Sequence, residues 1–300
     1  MNVIAELVMN VQAKLGEGPH WDEQSQSLLW VDITGRKIHV YDPKNDRETT
    51  FDFDRMVSAV IPAQDKGWVL AMQGGIYSFD PENGVLEQIE TVEPDLPRNR
   101  LNDAKCDPQG RLWAGTMSMD DSPGAGALYM LEQGGQLRME LTGIGCSNGL
   151  AWDERKQRMY YIDTPTRRVD AFDFEPSTGQ IRNRETIIRF AESAGLPDGM
   201  TIDSEGMLWI AHWGGGAVSR WNPDTGEQIG EVTVPAWHVT SCAFGGPDLS
   251  DLYITSAREG MSREQLDRYP LSGGLFKVKT DVTGIRANRF GTRAEAGSRL

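Results

Sequence analysis

Four short segments of the chain align with one another, and each begins with a side chain that carries a ligating oxygen. Each segment ends five positions later in Asp and is followed by an apolar run with an aromatic residue. The four opening residues are Glu17, Asn102, Asn148 and Asp198. If the segments are equivalent parts of equivalent units, these side chains converge on one point. Two carboxylates and two amides, all of them oxygen donors, predict a site for a hard divalent cation.

The same repeat extends over the whole chain and predicts the fold. Aromatic residues recur near positions 30, 68, 113, 160, 209 and 253, and this spacing of roughly 40 to 50 residues is typical of propeller blades. Alternating apolar and polar residues bounded by Asp-Pro, Asn-Gly and Gly-Gly indicate strands and turns. Only residues 262–269 and 190–194 favour a short helical turn. The pattern predicts an all-β, six-bladed β-propeller with four antiparallel strands per blade and a metal site in its central channel.

Composition favours one domain. The chain has 300 residues, of which 39% are hydrophobic, and no Pro/Ser-rich linker divides it. We expect a single propeller over residues 1–285 and a polar, flexible C-terminal tail over residues 286–300. Closing the ring requires the two ends to meet, and the alternating residues 3–8 are expected to supply a strand to the last blade.

Charge and residue usage exclude several classes of protein. A net charge of −14 argues against nucleic acid as a partner. Neither a membrane span nor a signal sequence is evident, so we expect a cytoplasmic protein without an obligate protein partner. The three cysteines are expected to be reduced. With four histidines and no nucleophile-elbow motif, a His-rich zinc site and a Ser-His-Asp triad are disfavoured. His212 follows a strand and is kept as a candidate channel-lining residue.

The oxygen donors therefore carry the functional prediction. The first strand of each blade lines the channel, and Val60 and Ala243 take the donor position in blades two and six. Asn-Gly and Asp-Gly are also ordinary turn dipeptides, but four donors at one phase favour a shared site. Glu17, Asn148 and Asp198 as direct ligands supply two negative charges and leave positions open for water or substrate. Calcium suits these oxygens best, and zinc, manganese or magnesium are alternatives.

Several motifs resemble those of the SMP-30/gluconolactonase/regucalcin-like family, in order and with matching spacing from about residue 13 to residue 278. They are Glu-Gly-Pro at 17–19, Arg-Leu-Asn-Asp at 100–103, Ala-Gly-Thr-Met at 114–117, Ser-Asn-Gly-Leu at 147–150, Pro-Asp-Gly at 197–199, Cys-Ala-Phe-Gly-Gly at 242–246, Thr-Ser-Ala-Arg at 255–258 and Pro-Leu-Ser-Gly-Gly-Leu-Phe at 270–276. The resemblance implies a six-bladed propeller with a divalent metal in its channel and hydrolysis of sugar lactones.

Site roles follow from the resemblance position by position. It implies that the metal ligands are Glu17, Asn148 and Asp198, three of the four positions found by internal alignment. Asn102 falls on a substrate-contacting position that also reaches the metal through water. Arg100 matches an arginine that binds sugar hydroxyls, although from the sequence alone a surface or carboxylate-paired arginine is an equal reading. The acidic substrate contact falls on Asp120, where the family mostly has Glu, and this shorter side chain is expected to alter which sugar fits.

The predicted chemistry is hydrolysis of a sugar lactone such as gluconolactone, xylonolactone or arabinonolactone to the aldonic acid. The metal polarises the carbonyl, and water attacks the carbonyl carbon. Asp198 is the best candidate for the group that takes the proton from this water, because a carboxylate can ligate through one oxygen and accept through the other. In the alternative mechanism Asp198 is a ligand only, and the attacking group is a metal-held hydroxide.

Two rival functions fit the same scaffold. The first is hydrolysis of organophosphates or aryl esters, since a metal that polarises C=O also polarises P=O. The polar set of Arg100, Asn102 and Asp120 favours a polyol over an apolar leaving group. The second is a non-catalytic calcium-binding propeller, which would bind metal without turning over any lactone.

Overall fold

The computed structural model describes residues 2–291, and almost all of its regular structure is β-strand. Two short strands come first, β1 (Asn2–Ile4) and β2 (Glu6–Met9). Blades one to three contain β3 (Gly16–Asp22), β4 (Ser27–Asp32), β5 (Lys37–Asp42), β6 (Arg47–Asp52); β7 (Val57–Pro62), β8 (Trp68–Met72), β9 (Gly75–Asp80), β10 (Val85–Thr91); and β11 (Asn99–Cys106), β12 (Leu112–Ser118), β13 (Gly126–Leu131), β14 (Leu137–Ile144). Blades four to six contain β15 (Ser147–Asp153), β16 (Arg158–Asp163), β17 (Arg168–Glu175), β18 (Gln180–Arg189); β19 (Leu196–Ile202), β20 (Leu208–Trp213), β21 (Ala217–Asn222), β22 (Glu227–Thr233); and β23 (His238–Gly245), β24 (Asp251–Ala257), β25 (Leu275–Lys279). The predicted six-bladed propeller is confirmed.

The N-terminal strands close the ring. Strand β2 pairs antiparallel with β25 and supplies the fourth, outermost strand of blade six. This confirms that the start of the chain joins the last blade. Strand β1 was not foreseen as a separate element, and it pairs parallel with β22 as a fifth strand on blade five. Residues 2–9 thus bind two adjacent blades together, which covers strand edges that would otherwise be open to pairing.

The apolar core of residues 2–291 is divided among the six interfaces between neighbouring blades. The repeated aromatic residues supply much of it, since Trp30, Trp113 and Trp209 are almost completely buried. They are therefore blade core and not substrate platforms, as their repeat positions predict. Each blade depends on two neighbours for burial, so the ring stabilises itself as one body.

The repeated Asp also has a structural role in two blades. Asp203 accepts a hydrogen bond from the indole Nε1 of Trp209 at 2.9 Å and another from Nε of Arg220 at 2.8 Å. In blade three, Asp107 accepts from Nε1 of Trp113 at 3.0 Å and from Nε of Arg111 at 2.7 Å. The periodic Asp-then-Trp pattern therefore records a buried contact that ties the end of an inner strand to the next strand.

Removing one of these carboxylates should destabilise the fold strongly. Asp203→Ala leaves the Trp209 indole and the Arg220 guanidinium without their buried acceptor, and we expect the free energy of unfolding to fall by about 3–5 kcal/mol. Asp248→Ala is the matched control, because Asp248 follows the inner strand of blade six but is exposed and pairs with Lys279 at the surface. Urea unfolding measures both. Equal, small losses would contradict the structural role of Asp203.

Within residues 2–291, helical structure is confined to short turns, as the sequence predicts for two places. Helix α1 (Arg263–Arg268) begins at a capping box made by Ser262 and Gln265, and a 3-10 turn covers Glu192–Ala194. A second 3-10 turn, Thr164–Thr166, lies between β16 and β17 and was not predicted. Over the described residues, none of the helical segments has the length and apolar character needed to cross a bilayer.

Part of the predicted tail, residues 288–291, contacts the propeller. Within the described part of the predicted tail, the backbone of Phe290 hydrogen-bonds to Pro62 and Gln64, and Gly291 N donates to Gly110 O. Asn288 Nδ2 donates to Cys106 O at 3.3 Å. Backbone groups of the propeller thus hold residues 288–291, which composition alone does not reveal. Residues 292–300 lie outside the described part of the chain.

Candidate functional site

All four predicted oxygen donors lie at irregularities in the inner strands of their blades. The pairing register shifts between Glu17 and His20 in β3, and between Leu101 and Ala104 in β11. Equivalent shifts occur in β15 around Asn148 and in β19 around Asp198. Bulges leave residues unpaired and re-aim their side chains, and they are common beside active sites. The Asn-Gly and Asp-Gly dipeptides are therefore bulges within strands, not turns.

Two glycines let the donor-bearing strands approach each other. A Cβ atom on Gly149 would lie 2.7 Å from Cβ of Met200 and 2.8 Å from O of Asp198. A Cβ on Gly199 would lie 2.1 Å from Oγ of Ser241. No side chain fits at these distances, so each glycine after a donor is required by the close packing of blades four, five and six. The sequence signal Asn-Gly and Asp-Gly thus reflects the approach that brings Asn148 and Asp198 together.

The carboxyl groups of Glu17 and Asp198 lie close to each other. Both side chains are buried, and each carboxyl lies close enough to the other to shift its pKa. Burial raises the pKa of Glu17 to about 8, repulsion from Asp103 adds to this, and the Gly18 N–H and Arg100 oppose it. Burial and then repulsion from Glu17 hold the pKa of Asp198 well above its ordinary value. Two carboxyls so placed share protons unless a cation neutralises them.

Asn148 lies beside this pair and completes the set of oxygen donors. Its amide Nδ2 donates to Oγ1 of Thr164 at 3.0 Å, while its Oδ1 is buried and has no hydrogen-bond partner. Oδ1 of Asp198 is likewise buried without a partner. Unpaired buried oxygens are costly and rare in native proteins. An amide oxygen and a carboxylate oxygen left unpaired in this way would suit a positively charged ligand.

Arg100 and Asn102 lie next to the carboxyl pair and bind each other. Nη1 of Arg100 donates to Oδ1 of Asn102 at 2.7 Å, and Nδ2 of Asn102 donates to Ser147 O at 2.8 Å. Burial lowers the pKa of Arg100, while nearby acidic groups, including Glu17 and Asp198, oppose that shift. Arg100 is therefore a buried cation facing the acidic pair, not the surface arginine of the alternative reading. The amide of Asn102 fixes its position.

Two further residues at the site had no role assigned from the sequence. Asp103 follows Asn102 in the same bulge, and burial raises the pKa of its carboxyl, with Lys105 opposing the shift. Cys146 is half-buried, and its Sγ lies 3.6 Å from Nδ2 of Asn102. Burial, with repulsion from Asp198, raises the pKa of Cys146 to about 12. Both residues adjoin predicted donors in sequence, and this adjacency was the only available signal.

Asp120 lies at the same end of blade three as Arg100 but on its exposed rim. It follows the end of β12, and its carboxylate pairs with Arg98, whose Nε lies 2.7 Å from Oδ2 of Asp120. Hydrogen bonding to Arg98 lowers the pKa of Asp120. The structure therefore does not bring Asp120 into the buried cluster. The pairing with Arg98 was not foreseen.

His212 does not line the channel. It lies on β20, the second strand of blade five, where its Nδ1 is 2.7 Å from Ala194 O and its Nε2 is 2.5 Å from Oγ of Ser219. Its ring packs edge-on against Phe190. Both nitrogen atoms are engaged by protein groups, so His212 is a structural residue, and the channel-lining reading is wrong. A strand position next to glycines gave no information on which face the ring takes.

The donor set fits a divalent cation. Glu17 and Asp198 supply negative charge, and Asn148 supplies an unpaired oxygen, which together match the preference of hard cations. In residues 2–291 no group of three or more His, Cys, Asp or Glu side chains is arranged to hold a metal. A cation here would therefore need the Asn148 amide as its third protein ligand. Arg100 is not a candidate ligand, because a protonated guanidinium has no lone pair to offer a cation.

Comparison with known proteins agrees with this architecture. The model of the SMP-30/gluconolactonase/LRE-like region matches residues 15–258. A Bacillus subtilis (strain 168) protein named "Putative sugar lactone lactonase YvrE" is 41% identical over 286 residues, which cover 95% of this chain and 98% of that protein. Regucalcin of Xenopus laevis is 38% identical over 291 residues, covering 95% and 97%.

A solved structure extends the likeness to three dimensions. The calcium-binding protein regucalcin of Agrobacterium tumefaciens strain C58 superposes with a TM-score of 0.92 at 31% identity, covering 97% of this chain and 98% of that one. Sequence and fold agree over almost the whole length. The chain therefore belongs to the SMP-30/gluconolactonase/LRE-like family.

Proposed function

We propose that this protein hydrolyses a sugar lactone to the aldonic acid with a divalent cation held by Glu17, Asn148 and Asp198. The observation that carries the proposal is the pair of buried, unpartnered oxygens, Oδ1 of Asn148 and Oδ1 of Asp198, beside two carboxyl groups in mutual contact. Membership of a family that includes gluconolactonases supports the reaction type. Calcium is the favoured cation because all three ligands are oxygens, with zinc, manganese and magnesium as alternatives.

A cation bound there would withdraw electrons from the lactone carbonyl and stabilise the negative charge that develops on its oxygen. Asp198 would take the proton from the attacking water, because one carboxylate oxygen can accept while the other holds the cation. Water adds to the carbonyl carbon, the ring C–O bond breaks, and the ring oxygen leaves as a hydroxyl after receiving a proton. The products are the open-chain aldonate and one released proton.

Substrate binding falls to the residues beside the carboxyl pair. The Arg100 guanidinium is a planar donor that suits the hydroxyl oxygens of a polyol. Asn102 holds that guanidinium in place through its Oδ1 and is itself held by Ser147 O. A small sugar lactone, rather than a macromolecule, matches a cluster of buried polar side chains. Asp120, at the rim, would contact only the part of a sugar farthest from the carbonyl.

Asn102→Ala should raise KM more than it lowers kcat. The change removes the neutral acceptor that orients Arg100, and bonds to charged groups contribute about 1.5–3 kcal/mol. We therefore expect KM to rise about 10-fold or more, with kcat within about 3-fold of the wild type. Steady-state kinetics on the best lactone measures both constants. Asp120→Asn is the comparison at the rim, and a KM effect there equal to that of Asn102→Ala would contradict this ranking.

The direct test of the proposed function is proton release in weak buffer. The protein is stripped with chelator and then given calcium, zinc, manganese or magnesium, with freshly dissolved five- and six-carbon aldonolactones corrected for spontaneous hydrolysis. We expect acid production that depends on the metal. Aryl esters and an organophosphate, assayed in parallel, address the rival hydrolase. Turnover of those compounds alone, or cation binding without turnover of any lactone, would contradict the proposal.

A further inference from the structure

The hydroxyl of Thr164 connects two of the proposed cation ligands. Thr164 lies in the 3-10 turn after β16 and is buried. Its Oγ1 accepts from Nδ2 of Asn148 at 3.0 Å and donates to Pro197 O at 2.8 Å. Pro197 directly precedes Asp198. One side chain thus touches the amide of one ligand and the backbone beside another, although it has no direct contact with either donor oxygen.

The hydrogen-bond roles follow from the chemistry of the groups. A hydroxyl has one hydrogen, and a carbonyl oxygen can only accept. Because Thr164 gives its hydrogen to Pro197 O, its oxygen can only accept from Asn148. The amide must therefore turn its NH₂ group toward Thr164, and its Oδ1 must point the other way. Backbone N of Thr164 also donates to Cys146 O at 3.0 Å, which anchors the turn to the strand that carries Asn148.

The opposite orientation of the amide would otherwise be attractive. Oδ1 of Asn148 is buried without a partner, whereas an NH₂ group in its place could donate to an acceptor such as Oδ1 of Asp198, which is also unpartnered. A cation needs the oxygen and is repelled by the NH₂ group. The orientation that serves the cation is thus not the one that the empty carboxyl pair favours, so another group must impose it. Sγ of Cys146, 3.9 Å from Nδ2 of Asn148, lies on the same side as Thr164 and adds a weak acceptor.

We propose that Thr164 is a positioning residue that locks the Asn148 amide with its oxygen toward the cation site, so that the hydroxyl sets the affinity for the cation. This inference rests on the proposed function, because it assumes the cation site of Glu17, Asn148 and Asp198. It predicts a change in binding of the metal alone, with no substrate present. Loss of groups that orient ligands typically costs 10–100-fold in metal affinity.

The experiment compares three variants by calorimetric titration of calcium into chelator-stripped protein. Thr164→Val keeps the shape and removes the hydroxyl, and Thr164→Ala removes it without adding a methyl group at the same place. Both should bind calcium about 10–100-fold more weakly than the wild type. Thr164→Ser retains the hydroxyl and should stay within about 3-fold of the wild type.

A matched control separates this role from general stability. Thr280→Val removes another buried hydroxyl, whose Oγ1 lies 2.6 Å from Val282 O and 3.0 Å from Ser250 O, away from the donor set. It should lower the metal-free Tm as Thr164→Val does but leave calcium affinity unchanged. Wild-type calcium affinity in both Thr164→Val and Thr164→Ala would contradict the positioning role of Thr164. So would a loss of calcium affinity in Thr164→Ser as large as in those two variants. Either result would leave the proposed cation site intact. Absence of calcium, zinc, manganese and magnesium binding to the wild type would instead overturn the proposed site, and the positioning role of Thr164 with it.

Discussion

Asp198→Ala is expected to reduce kcat for lactone hydrolysis by at least about 1,000-fold, because it removes a cation ligand and the proposed proton acceptor together. Cation affinity should fall in the same variant, since only Glu17 would remain as a charged ligand. The measurements are metal-dependent proton release and calorimetric titration of the metal. Asp198 is buried against Glu17, so its removal also relieves repulsion, and the metal-free protein should keep its fold or gain stability.

Asp198→Asn separates the two roles of this side chain. Asparagine keeps one ligating oxygen and the side-chain volume but cannot take a proton from water at neutral pH. We expect kcat to fall about 100-fold or more while some cation binding remains. Asp120→Ala is the matched control, because it also deletes one negative charge at this end of the channel but from an exposed position. Full turnover in either Asp198 variant would contradict the mechanism.

The fold was predictable because its signal is periodic and redundant. Each blade carries a strand pattern with an aromatic residue, and burial of Trp30, Trp113 and Trp209 between blades explains why that pattern survives in the sequence. Contacts that occur at only one place in the fold were harder to predict. The separate pairing of β1 with blade five and the docking of Phe290 on Pro62 depend on contacts between residues far apart in the chain. No local pattern encodes them.

The candidate site was predictable only in its donors. Glu17, Asn148 and Asp198 share one repeat phase, and the bulges at that phase explain why they converge. The groups that orient the donors come from other parts of the blades. Thr164 lies in an unpredicted 3-10 turn, and its relevance depends on a bond to Pro197 O, 33 positions away. For His212 the prediction of a channel-lining role was wrong. A strand residue can point toward the channel or toward a neighbouring strand, and the residues next to it in sequence do not decide which.

Ionisation of Glu17 is expected to make the stability of the metal-free protein depend strongly on pH. In the metal-free folded protein the pKa of Glu17 is about 8, whereas its ordinary value is 4.5. Between these values the folded state binds a proton that the unfolded state lacks. The resulting contribution to stability is complete below pH 4.5 and is lost as pH rises through 8. At about 1.4 kcal/mol per pKa unit, this amounts to several kcal/mol.

Chelator-treated wild-type protein should therefore lose Tm steadily between about pH 5 and pH 8. Glu17→Gln cannot ionise, so its metal-free Tm should change less over this range and exceed that of the wild type at pH 8. Differential scanning calorimetry with chelator present measures this. Saturating cation should reverse the order at pH 8, because it neutralises the Glu17 and Asp198 carboxylates of the wild type and stabilises the folded state by mass action.

The two conditions together test what the acidic pair is for. A buried pair that serves only structure would be best uncharged at every pH, and glutamine at position 17 would then stabilise the protein with or without cation. A carboxyl pair that binds a cation destabilises the folded state without the cation and stabilises it when the cation is bound. A crossover in the stability of wild type and Glu17→Gln on adding calcium would support the proposed site. Greater stability of Glu17→Gln in saturating calcium, and equally in zinc, manganese and magnesium, would contradict it.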